Sequence, residues 1–140
     1  MLEQFKVRPE NAIRVKEQSL RETVVAVLLK MGVPEPDCVL AADVLVTADM
    51  RGVETHGVSN MLRSYIAGYN SGELNPEPNW RITRETASTA NIDGDKGLGI
   101  IVTPKAMDIA ISKAKDVGMG VVTIHNSRHL GMASYHALKA

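Results

Sequence analysis

Apolar positions recur at helical spacing through the first half of the chain and in short alternating runs through the second. Leu20, Val24, Val25, Val27, Leu28 and Leu29 form a broad face of period 3.6 and predict a first helix. Ser19-Leu20-Arg21-Glu22 reads as its capping box, with the Ser19 hydroxyl accepting from the Glu22 N–H and Glu22 reaching back. Gly32 and Pro34 end it. Val39, Leu40, Ala42, Val44, Leu45 and Ala48 are apolar nearly all round and predict a buried second helix. Pro36 and Asp37 suit its first turn, and it ends near Met50-Arg51-Gly52. Met61, Leu62, Tyr65, Ile66 and Tyr69 predict a third helix over Val58 to Asn70, closed by Gly72. Ahead of these helices, Phe5-Lys6-Val7-Arg8 and Ile13-Arg14-Val15 alternate as short strands do.

The turn-rich run Leu74-Asn75-Pro76-Glu77-Pro78-Asn79 marks a change of pattern. Trp80-Arg81-Ile82-Thr83 and Ser88-Thr89-Ala90-Asn91-Ile92 read as strands, the second running into the turn signal Asp93-Gly94. A helix follows from between Leu98 and Pro104 to about Val117. Met107, Ile109, Ala110, Ile111 and Ala114 lie on its buried side, and Gly118 sits at C′. Gly120 to Ile124 reads as a strongly buried strand, His125 to Gly131 as a loop and Met132 to Ala140 as a helix. The fold class is therefore mixed α/β. A mainly helical section covers 1–74, and 75–140 holds the strand–strand–helix–strand–helix opening of an α/β domain. A sheet that begins so late is expected to need more strands, and Lys139-Ala140 carries no stop signal.

Composition narrows the function classes. A chain of 140 residues has room for one domain or the front part of a larger one. Only 4% of residues are aromatic, so the core is aliphatic. Sixteen basic and sixteen acidic residues cancel, which argues against wholesale binding to nucleic acid or a membrane surface. The single cysteine, Cys38, excludes an intrachain disulfide and a thiolate zinc cluster and reads as a small buried hydrophobe. The first residues hold no signal-peptide apolar region, and no run approaches the ~18 apolar residues of a spanning helix. The expectation is a cytoplasmic protein.

Two segments could carry chemistry. His125 to Tyr135 follows the best strand, and open α/β sheets collect functional groups at the C-terminal ends of strands. A histidine there suits proton transfer, with Asn126, Ser127 and Arg128 as donors and Gly131 allowing close approach. The plain alternative is a polar loop with a solvated histidine. Thr55-His56-Gly57 stands at a helix N-terminus, which is favourable to anions. There Thr55 could serve only as an N-cap. Arg63, two turns on and on roughly the same face, could hold a carboxylate bidentately or be a solvated flank. His125 and His129 have a metal-ligand spacing only on a helix, and no third ligand stands ready, so no metal site is expected. Gly94-Asp95-Lys96-Gly97-Leu98-Gly99 has neither the order of a dinucleotide fingerprint nor a Gly-Lys-Ser/Thr, and reads as a tight turn leading into a helix.

Taken together, these residues suggest a family. Asp49-Met50-Arg51-Gly52-Val53-Glu54-Thr55-His56-Gly57 resembles the D-x-R-G-x-x-[ST]-H-G segment of the malate/L-lactate dehydrogenase family. This family is not built on the ordinary Rossmann fold and includes ureidoglycolate and sulfolactate dehydrogenases. Tyr65 with Gly72-Glu73-Leu74-Asn75-Pro76, Asp93-Gly94-Asp95-Lys96-Gly97-Leu98-Gly99, Ala106-Met107 with Ala110-Ile111, and Gly118 to Tyr135 match further motifs in order along nearly the whole chain.

The resemblance implies an oxidoreductase using NAD or NADP to interconvert a 2-hydroxy acid and its 2-oxo acid. His129 would be the general acid/base. Thr55 and His56 would line the substrate and nicotinamide pocket, and Asn126 and Ser127 would shape the catalytic loop. His56, Gly131 and Tyr135 would face the cofactor, most of whose surface is expected beyond Ala140. The family works on small carboxylates as homodimers. Many members carry an Arg four residues after the motif histidine to hold the substrate carboxylate. Here that position is Asn60, and Arg63 is the candidate substitute. Family members are much longer, so the chain reads as an N-terminal fragment. A non-catalytic assembly module that keeps the family's dimerising surface is the alternative.

Overall fold

A computed structural model describes residues 8–140. After a 3-10 turn at Pro9–Asn11 come helices α1 (Glu17–Lys30), α2 (Glu35–Met50) and α3 (Val58–Asn70), with a second 3-10 turn at Glu54–His56 before α3. Strands β1 (Arg81–Glu85) and β2 (Thr89–Asp93), helix α4 (Gly99–Val117), strand β3 (Val121–His125) and helix α5 (Ala133–Lys139) follow. The sheet order is β1-β2-β3. β1 runs antiparallel to β2 with Ile82 opposite Ile92, and β2 runs parallel to β3 with Asp93 opposite His125. The unit β2–α4–β3 is thus a parallel crossover.

Two apolar clusters share one wall. Val24, Leu28, Cys38, Ala41, Val44, Leu45 and Tyr65 pack the helices together, and Leu98, Ile100 and Ile101 join them from the start of α4. Ile92, Val102 and Ala106, with Trp80, Val122 and Ile124 against them, fill the space between α4 and the sheet. The first turns of α4 therefore bury side chains in two directions, which is why Ile100-Ile101-Val102 is apolar without a break. α2 is buried along most of its circumference, as an all-round apolar helix must be. Its Cys38 is fully buried, and loss of solvation pushes the thiol up to about 11.

Several expectations need correction. Phe5 to Val7 lie outside the described residues, Arg8 belongs to no strand, and Ile13-Arg14-Val15 is exposed chain rather than strand. Two or three alternating residues with no partner strand gain too little to hold an extended pair. α1 begins two residues before Ser19, so no capping box forms. The Ser19 carbonyl accepts from Thr23 Oγ1, and Glu22 accepts from Gln18 Nε2, both one turn apart within the helix. The C-terminal half of α4 is only partly covered. Its buried residues are Gly99, Ile100, Ile101, Val102, Pro104 and Ala106, not Met107 to Ala114. β3 alternates between exposed and half-buried because α4 covers one face only and β3 stands at the sheet edge.

His136 ties α5 to the preceding loop. It is 6% exposed, and its Nε2 lies 2.8 Å from the Leu130 carbonyl, where it can only donate. Nδ1 is buried without a partner among the described residues. Burial pushes this imidazole below its ordinary pKa, against the Leu130 carbonyl, which favours the charged form. The unfolded chain therefore takes the proton more readily. The His136 contribution to stability is complete above about pH 6.5 and is lost as pH falls through the lowered native value.

Two predictions follow from packing and protonation. Gly118 has φ +85° with open space around it, whereas a Cβ on Gly120 would lie 1.9 Å from the Ala110 carbonyl oxygen. Gly118→Ala should cost about 1 kcal/mol and Gly120→Ala about 3 kcal/mol, read from urea denaturation. Equal costs would contradict this packing. His136→Gln keeps a donor for Leu130 without a titrating ring. It should flatten the fall in urea midpoint between about pH 7.5 and 5.5; an unchanged slope would contradict the buried neutral imidazole.

Candidate active site

The front wall of the site is a capped turn. α2 ends at Met50, Gly52 takes φ +70°, and the 3-10 turn brings the chain round to Gly57, the N-cap of α3. Thr55 does not cap this helix. The first N–H of α3, on Val58, instead donates to Asp49 Oδ2 at 2.9 Å, from the last turn of the preceding helix. Gly57 makes this possible, because a Cβ there would lie 1.6 Å from Asp49 Oδ1. The interval from Asp49 to Gly57 in the sequence motif thus has a steric reason. Burial raises the Asp49 carboxyl pKa, the Val58 N–H opposes that rise, and Glu54 adds to it. Asn60 donates from Nδ2 to the Glu54 carbonyl at 2.8 Å, so its amide braces the turn. Thr55 Oγ1 lies 2.8 Å from His56 Nδ1 and orients that ring.

The back wall is a pair of loops bonded backbone to backbone. Beyond β2 and β3, the Gly94 N–H donates to the His125 carbonyl (2.9 Å), the Lys96 N–H to the Asn126 carbonyl (2.7 Å) and the Arg128 N–H to the Gly97 carbonyl (3.1 Å). Asn126 sits at φ +50° and donates from Nδ2 to Asp93 Oδ1 at 2.9 Å. That bond and the Asp95 N–H hold the Asp93 carboxyl below its usual value. Ser127 packs on Gly94, and Gly99 presses on the carbonyls of Arg128 and His129, the nearest 2.2 Å from where a Cβ would sit. Gly94, Gly97 and Gly99 are thus filled by protein. This glycine run is a packing device and not an open phosphate cradle.

The two walls meet at His129. Its Nδ1 lies 2.8 Å from the Tyr65 hydroxyl, across 64 residues of chain. The His56 ring stacks on it with centroids 5.3 Å apart and planes 21° from parallel. Tyr65 is 3% exposed, and burial pushes its phenol far above the ordinary tyrosine value, so it keeps its proton. His129 is exposed along its outer edge. Partial burial, and then the neighbouring His56, push its pKa below the ordinary imidazole value, so the ring is neutral at neutral pH. A cleft of about 220 Å³ opens beside it, lined by Met61, Ser64, Tyr65, Gly68, Glu73, Leu74, Leu98, Arg128 and His129.

The other expected site residues lie elsewhere. Arg63 is exposed and outside the cleft lining. Asn126 and Ser127 spend their contacts on the loop pair. Gly131, at φ +78°, turns inward against Ile100 and Val44, and Tyr135 donates its hydroxyl proton to Asp43 Oδ2. His125 ends β3, exposed, and among the described residues no three His, Cys, Asp or Glu side chains gather as a metal site would require. Sequence reasoning missed three participants: Tyr65 as the partner of His129, Asp49 as the cap, and the Arg128–Glu73 pair at the cleft. A tyrosine inside an apolar stripe was the available signal, since its buried hydroxyl needs a partner.

Drug-sized and cofactor pockets usually run from about 300 to 1,000 Å³. The 220 Å³ cleft falls below that range and is of a size for a small ligand, and the closed glycine run offers no phosphate site. The residues around this cleft therefore fit a small ligand and not a dinucleotide.

Comparisons with known proteins identify the family. A family model described as malate/L-lactate dehydrogenase matches residues 15–140. The chain is 51% identical over 131 residues to a malate dehydrogenase of Pyrococcus horikoshii, covering 94% of this chain and 36% of that protein. It is 44% identical over 123 residues to an L-sulfolactate dehydrogenase of Methanocaldococcus jannaschii, covering 88% and 36%. The solved structure of the Pyrococcus horikoshii malate dehydrogenase superimposes with a TM-score of 0.92 at 50% identity, over 96% of this chain and 38% of that one. The chain thus spans a little over a third of the length of these relatives. With the family model matching most of its length, the chain belongs to the malate/L-lactate dehydrogenase family.

Proposed function

We propose that the chain carries the acid/base machinery of an NAD- or NADP-dependent dehydrogenase acting on a 2-hydroxy acid of the malate or lactate type. The Tyr65–His129–His56 constellation beside a small cleft carries this reading. Tyr65 occupies Nδ1 of His129, so Nε2 is the nitrogen left for the substrate. In oxidation, Nε2 of the neutral ring takes the proton of the C2 hydroxyl, while Nδ1–H donates to the Tyr65 oxygen. In reduction, Nε2–H returns that proton to the C2 oxygen. A bound nicotinamide would supply the hydride acceptor or donor at C2. His56, oriented by Thr55, offers Nε2 as a polar contact to a substrate oxygen. Its stacking on His129 disfavours charging both rings at once.

The reading includes a homodimer, supported by apolar side chains left exposed at Leu29, Val39 and Leu138. It also includes the cytoplasm, which suits a free and buried Cys38 thiol. The small cleft and closed glycine run favour a second reading, a non-catalytic assembly module that keeps the family's dimerising surface.

NADH fluorescence titration separates the two. Saturable binding, followed by oxidation when oxaloacetate or pyruvate is added, supports the dehydrogenase and overturns the module; absence of binding at high protein concentration means that these residues do not hold the cofactor by themselves. In the active protein, His129→Ala should lower kcat by about 10²- to 10⁴-fold with NADH binding retained. Turnover close to that of the parent would sink the assignment. Tyr65→Phe removes one hydrogen bond and leaves the ring in place. It should lower kcat about tenfold with little change in KM; an unaltered kcat would show that Tyr65 is only packing.

A further inference from the structure

The acid/base reading leaves open what holds the carboxylate that every 2-hydroxy acid carries. We propose that Arg128 is the carboxylate receptor of the cleft, and that Glu73 is its displaceable stand-in. The inference rests on the dehydrogenase reading of the same cleft.

Arg128 directly precedes His129, and its backbone is fixed by the bond to the Gly97 carbonyl and by Gly99 packing beneath it. Both side chains line the cleft. Arg128 is the one cation among the lining residues, the rest being apolar, hydroxyl-bearing, His129 or Glu73. A guanidinium stays charged at any working pH and presents a planar fork matched to a carboxylate. That fork is lightly held. Nε lies 3.3 Å from the Glu73 carbonyl and 3.4 Å from Glu73 Oε1, both longer than the usual separation of about 2.9 Å. Both contacts to Glu73 run through Nε, so the Nη edge of the fork is the one offered to a carboxylate. The Glu73 side chain is 63% exposed, and Gly72 before it takes φ +73°. An exposed ion pair of this kind is worth little, so an incoming carboxylate can displace it. Arg63 lies outside the lining and offers no competing cation inside the cleft.

The test follows the His129 imidazole resonances in the full chain, with and without NADH, as L-lactate, L-malate or lactamide is added. Lactamide keeps the hydroxyl and lacks the carboxylate. The parent chain should bind L-lactate more tightly than lactamide. Arg128→Gln should raise the lactate Kd about tenfold or more and leave lactamide unaffected. Arg128→Lys should fall between, because it keeps the charge and loses the fork. Glu73→Gln should tighten lactate. An exposed side chain is replaced in each case, and unchanged thermal unfolding would confirm that the fold is intact. If both acids move His129 but Arg128→Gln leaves their Kd unchanged, or if Arg63→Gln weakens them instead, Arg128 is not the receptor and the dehydrogenase reading stands. If no acid moves His129 under any condition, the reading of the cleft falls and the receptor with it.

Discussion

The hydrogen bond between the Tyr65 hydroxyl and His129 Nδ1 spans 64 residues and links a helix of the front section to a loop of the α/β section. It can form only because the loop is held from the other side. Gly99 brings the backbone of α4 against the carbonyls of Arg128 and His129, closer than any side chain would permit. The imidazole is thus clamped between a buried phenol and a helix N-terminus, with one ring nitrogen committed and the other presented. Positioning of this kind is what proton transfer needs, since rate depends on reach before it depends on pKa.

The remainder of the structure serves that clamp. α4 works as a shared wall, contributing Leu98, Ile100 and Ile101 to the helical core and Val102 and Ala106 to the sheet core. A shift of α4 would therefore disturb both cores together. The Asp49–Gly57 cap sets the start of α3 and with it the height of Tyr65, while Thr55 sets His56 over the second ring. On the far side, the donation from Tyr135 to Asp43, with Arg21 also bound to Asp43, ties α5 to α1 and α2 and so fixes where the His129 loop ends.

Much of this was legible in the sequence. The bounds of α3 at Val58 and Asn70 followed from the stripe of Met61, Tyr65 and Tyr69 with Gly72 beyond, because that helix is half-buried and its pattern is clean. The left-handed Gly118 and the motif histidines were equally readable. Less legible was whatever depends on distant partners. Ser19 fits a capping box locally, but α1 gains another half-turn from Glu17 paired with Arg21, and Arg21 also reaches Asp43 on α2. Thr55 looks like a cap until Asp49 arrives from the previous helix. The burial of α4 was misplaced toward its C-terminal half because one period fits one buried face, and its first turns face two. Arg128 and Glu73 are far apart in sequence and meet only once the loop pair has formed.

The site is built on His129 lying between Tyr65 and His56. The most direct measurement is an aromatic NOESY spectrum of the chain with assigned histidine and tyrosine rings. The account predicts cross-peaks from the His129 imidazole to both the His56 ring and the Tyr65 ring. Cross-peaks to neither ring would mean that the loop hangs free and that the site is not assembled as described.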